Sequence, residues 1–114
     1  MSSQQSQGKR EMPAGEVVRL TELVNYQEGA VVSRTLLNRG TKTVTLFAFD
    51  EGQGLSEHMA PFDALAHLLE GKTEIVVSGK PLLNAGEAVL IPANQPHSLK
   101  ALTNFKMLLT MIRS

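Results

Sequence analysis

From residue 30 to residue 112 the chain is cut into short apolar and β-branched runs, each closed by turn residues, and this punctuation restricts the fold more than any other feature. Residues 31–37 stop at Asn38-Arg39-Gly40, and residues 43–49 stop at a loop over 50–54 with two glycines. A short run around 56–60 stops at Pro61, and residues 64–69 stop at Glu70-Gly71. Residues 74–77 meet Ser78-Gly79-Lys80, a hairpin-turn signal. Leu82-Leu83, residues 88–91, residues 98–101 and residues 106–112 complete the series. Runs this short, rich in Val, Ile, Thr and Phe and bounded by Gly, Pro and Asn, read as about eight to ten strands. No pattern fills a helix of three turns, and strands do not alternate with long helices, so a parallel α/β sheet is not expected. The expected class is all-β, a sandwich or barrel.

Alternation inside the runs assigns faces. In 43–49, Val44, Leu46 and Ala48 share one face and Thr45, Phe47 and Phe49 the other. In the last run Met107, Leu109 and Met111 oppose Leu108, Thr110 and Ile112. Residues 16–24 fit either a strand or a helical turn. The 114 residues suit one domain, expected over 16–114, behind a polar, low-complexity tail over 1–15 that reads as disordered. Only 4% of the chain is aromatic, so branched aliphatics and methionine must fill the core. A domain of this size buries a limited share of its surface, which makes a homodimer the expected state.

Composition removes several functions. Lys+Arg and Asp+Glu are both 11, and the basic residues are scattered, so nucleic acid is not an expected partner. Cysteine is absent, which excludes disulfides, thiolate catalysis and Cys-ligated metal, and is consistent with a cytoplasmic location. No window is apolar enough to span a bilayer and the first residues lack the apolar stretch of a secretory signal, so no membrane partner is expected. Neither a glycine-rich phosphate loop nor a nucleophile elbow is present.

What remains is a pair of histidines in similar settings. His58 ends Gly52-Gln53-Gly54-Leu55-Ser56-Glu57-His58, and His97 ends Pro92-Ala93-Asn94-Gln95-Pro96-His97. Both sit where a turn-rich stretch meets a strand. Asp63 and His67 lie close in sequence to His58, but alternation along the strand turns both away from the face shared by Ala64, Ala66 and Leu68. Asp63, after Pro61-Phe62, reads as a turn residue that caps backbone N–H groups, and His67 as an outward residue. Met107 and Met111 read first as core filling.

The two segments together resemble the two motifs of the cupin superfamily. Gly86, Pro92 and His97 fit the second motif, with Asn94 in place of its usual glycine and Ala101 in place of its final Asn. Gly52, His58 and Gly71 fit the first, while Ala60 and Ala64 stand where the family carries its second histidine and its glutamate. The resemblance runs from about Ala30 to Arg113 and is to small single-domain cupins of the conserved-barrel type. It implies a double-stranded β-helix, or jelly-roll, barrel, often dimeric, with both motifs lining one pocket. The family commonly holds one divalent metal with three histidines and a glutamate; here two of those four positions are alanine. The expected function is therefore binding of a small organic ligand near His58 and His97. The alternative is a divalent-metal enzyme (Fe, Mn, Ni or Zn at His58 and His97) of oxygenase, isomerase or decarboxylase type, acting on a small organic acid. A third possibility is an interaction module whose role is dimerisation.

Overall fold

The computed structural model describes residues 4–6, 11–77 and 79–113. Among the described residues there are ten strands: β1 (Gln4–Ser6), β2 (Val31–Asn38), β3 (Lys42–Phe49), β4 (Gly54–His58), β5 (Asp63–Glu70), β6 (Lys72–Val77), β7 (Lys80–Asn84), β8 (Ala88–Ile91), β9 (His97–Ala101) and β10 (Phe105–Ile112). Six form one sheet in the order β1-β2-β3-β10-β5-β8, and four form a second in the order β4-β9-β6-β7. All pairings are antiparallel except β1 with β2. This is an all-β jelly roll.

The inner faces of the two sheets meet in the main core. Phe49, Ala66, Leu68, Phe105 and Met107 from the larger sheet pack against Ile75, Val77, Leu83, Leu99 and Ala101 from the smaller. Phe49 and Phe105 stack with centroids 4.5 Å apart, an arrangement that adds to their area burial. Burying each large apolar side chain contributes about 1.5–3 kcal/mol relative to exposure. Gly71 takes φ +86°, and a Cβ there would overlap the Asn104 carbonyl, so the β5–β6 connection needs glycine.

A second core lies on the outer face of the larger sheet. Val32, Leu36, Leu46 and Ala48 project outward and are covered by Val24, with Leu20, Leu23 and Tyr26 beside it. Of the two readings of segment 16–24, the short helical turn is the one observed. The segment carries a short 3-10 turn over Leu20–Glu22 and folds as a strap across the sheet. Lys106 fastens it: its buried Nζ donates to the Thr21 carbonyl (2.5 Å) and lies 4.9 Å from the Tyr26 ring centroid.

Two described stretches before residue 16 lie along β2. Gln4–Ser6 add a parallel strand to β2, the Met12 N–H donates to the Leu36 carbonyl, and Glu11 pairs with Arg39 at 2.9 Å. Arg39 and the Asn38 N–H hold the Glu11 carboxyl below its ordinary range. A polar segment docks here through backbone hydrogen bonds to an open strand, which side-chain hydropathy does not register. Residues 1–3 and 7–10 of the expected tail lie outside the described residues.

Candidate functional site

β4 ends at His58 and β9 begins at His97, and the two residues face each other directly in the antiparallel ladder. A register shift between Leu55 and His58 re-aims the end of β4. Gly54, at the start of β4, allows the close approach of the strands, because a Cβ there would overlap the Leu99 carbonyl oxygen. The two imidazole centroids are 4.2 Å apart, with the rings inclined at 60°.

Each ring is held in the same way. His58 Nδ1 lies 2.8 Å from the Ser56 carbonyl oxygen and His97 Nδ1 lies 3.0 Å from that of Gln95. A carbonyl only accepts, so each Nδ1 carries the proton and donates it. For the neutral form of each ring this assigns the tautomer and leaves the Nε2 lone pair as an acceptor.

The loop before His97 is pinned from two sides. The Asn94 N–H donates to the Ala60 carbonyl (2.8 Å), and the Ala93 N–H donates to the Asp63 carboxylate (2.9 Å). Asn94 sits at φ 63°, the left-handed conformation that its replacement of a glycine requires. Asp63 is therefore a loop-capping residue, as expected. His67 is half-buried on the side of β5 away from the pocket, beside Leu108 and Ala88.

Behind the histidines a cavity of about 110 Å³ enters the barrel. Ala60, Ala64 and Ala66 form one wall, and Ile75, Ile91, Leu99, Met107, Leu109 and Met111 form others. His58 is exposed and His97 half-buried, so the pair sits at the mouth while the depth is apolar. Among the described lining residues no side chain bears a fixed charge, and apart from the imidazoles the polar one is Ser98. The structure thus brings His58 and His97 together and keeps Asp63 and His67 out of the cavity. Phe62, at the mouth with Arg113 stacked 5.0 Å from its ring centroid, carries no sequence signal beyond its neighbours Pro61 and Asp63.

These residues fit a divalent cation poorly. Among the described residues no third His, Cys, Asp or Glu joins the pair in a metal-holding group. Ala60 and Ala64 line the cavity beside the histidines, where side-chain ligands would have to stand. Two neutral imidazoles fall short of the three or more protein ligands such ions normally take, and no carboxylate offsets the charge.

Comparison with known proteins bears on the family and the fold. The family described as "Cupin domain" matches residues 35–113. A conserved protein of unknown function from Streptococcus pyogenes superposes with a TM-score of 0.85 at 31% identity, over 92% of this chain and 93% of that one. A cupin superfamily protein from Desulfitobacterium hafniense gives a TM-score of 0.85 at 24% identity, over 92% and 97% of the two chains. A Cupin 2 conserved barrel domain protein from Leptotrichia buccalis is 40% identical over 82% of this chain, with a TM-score of 0.76; the match spans 46% of that longer protein. No match was found among curated proteins.

Proposed function

The chain belongs to the cupin family, and from that premise we propose that its barrel binds a small, largely apolar organic molecule at the His58–His97 pair. The observation that carries this reading is the composition of the cavity: an apolar interior of about 110 Å³ with two oriented imidazoles at its mouth. Ligand sites are commonly apolar with a few placed polar groups that fix orientation. An engineered apolar cavity of about 150 Å³ takes benzene, so a ligand of about one ring matches the space here. Native mass spectrometry of the purified protein, with titration of small aromatic compounds, tests the reading. The expected result is one bound molecule per chain, lost in Ala64→Leu, whose side chain fills the cavity. Absence of binding by every apolar probe would sink it.

A second reading, a divalent-metal enzyme, is favoured by one observation. Ligating histidines normally donate the other ring N–H to a carbonyl or carboxylate, as both rings do here. Metal analysis of protein purified without a histidine tag, before and after His58→Ala, separates the two. Stoichiometric Fe, Mn, Ni or Zn that disappears in the variant would establish the metal reading. We further propose a homodimer in a cytoplasmic setting.

A further inference from the structure

Resting on the pocket reading above, we infer that the ligand is a small alcohol or phenol, an apolar body whose hydroxyl donates to the histidine pair. The cavity offers few polar atoms. Both Nδ1 protons are committed, to the Ser56 and Gln95 carbonyls. In the neutral form of each ring Nε2 is then the acceptor. Among the described lining residues there is no Lys, Arg, Asn, Gln, Tyr or Trp to donate, and no Asp or Glu; the Ser98 hydroxyl is the remaining polar side chain. Arg113 stacks on Phe62 and does not line the cavity.

This inventory discriminates among head groups. An ionised carboxylate would set its lone pairs against the two imidazole lone pairs and bring an unpaired charge to an apolar pocket. An ammonium group has donors, but its positive charge finds no carboxylate partner. A neutral hydroxyl supplies the missing donor without a charge. The rings are close enough, at 4.2 Å between centroids, for one hydroxyl to reach either Nε2. A pair of accepting imidazoles favours a donor-bearing ligand over its isostere, because an unmatched acceptor loses its hydrogen bond to water. The small-acid substrate class expected for a metal-assisted site is disfavoured by the same arithmetic.

The test is a matched series titrated into the full chain by calorimetry or ligand-observed NMR at neutral pH: toluene, phenol, benzoate and benzylamine. Phenol is expected to bind about fivefold to tenfold tighter than toluene, the effect of one neutral hydrogen bond, and benzoate and benzylamine more weakly than toluene. The double variant His58→Leu/His97→Leu should bind toluene and phenol alike. If that variant does not fold, as judged by circular dichroism, the wild-type rank order alone decides. Equal binding of phenol and toluene, benzoate or benzylamine as the tightest probe, or a phenol preference surviving in the folded double variant would overturn the donor inference and leave the pocket reading standing. If no probe binds, toluene included, the pocket reading itself fails and this inference falls with it.

Discussion

Tyr26 is the chain's single tyrosine, and its hydroxyl donates to the Glu70 carboxylate at 2.5 Å. Burial, followed by that hydrogen bond and the Glu70 charge, raises the phenol above its ordinary value of 10.0. A proton held more tightly in the folded state than in the unfolded one stabilises the fold below the ordinary phenol range, and that stability declines as pH rises beyond it. Spectroscopic titration of phenolate absorbance should therefore show delayed ionisation in folded protein and an ordinary value in urea. Tyr26→Phe should lower stability by about 1 kcal/mol at neutral pH. The variant should also lose the alkaline decline. An ordinary titration of Tyr26 in the folded chain would contradict the Glu70 contact. The alanines of the pocket matter at the same scale. Ala64→Leu inserts a side chain into existing space, so unfolding in urea should shift by no more than about 1–3 kcal/mol while ligand binding disappears. Unchanged binding would show that the cavity is not the site.

Among the elements, β3 explains both what the sequence disclosed and what it concealed. Its alternation was legible, and both faces were apolar: Val44, Leu46 and Ala48 opposite Phe47 and Phe49. Two apolar faces mean two covers, yet the second cover is a strap whose Leu20, Leu23 and Val24 keep helical spacing for a single turn, too short a run to read as an α-helix. Leu46→Ala should thus cost about 2–5 kcal/mol in denaturant unfolding while leaving ligand affinity intact, since Leu46 faces the strap and not the pocket. A loss of affinity comparable to that of Ala64→Leu would show that the two cores are coupled. The site was legible through the motif resemblance: the spacing of His58 and His97 from Gly52, Gly71, Gly86 and Pro92 implied that both line one pocket. The shared Nδ1 contacts were not legible, because they depend on backbone carbonyls two residues upstream rather than on residue type. Gly54 joins these points. Gly54→Ala should press β4 away from β9 and remove both the His–His pairing and ligand binding, measurable as altered imidazole proton signals and lost affinity.

At the scale of the whole molecule, the outer face of the larger sheet is only partly strapped. Leu65 pairs across the ladder with Leu90 and with Thr110, on the side opposite the cavity. Leu65, Leu90 and Ile112 are 44%, 60% and 47% exposed in a single chain. Contiguous apolar surface of this kind marks association sites. The expected state in sedimentation is a homodimer, and Leu90→Glu should shift it to monomer without unfolding it. A monomeric wild type would place this surface outside any self-association. The strand order carries one more consequence. β10 lies between β3 and β5, so the middle of the larger sheet is supplied by residues 105–112, translated after the other described strands. During synthesis the ribosome releases β2, β3 and β5 while the place between β3 and β5 is still empty, with their apolar faces open to chaperones or to aggregation. A nascent chain stopped before Phe105 should therefore remain protease-sensitive, and protection should arrive in one step once β10 clears the exit tunnel.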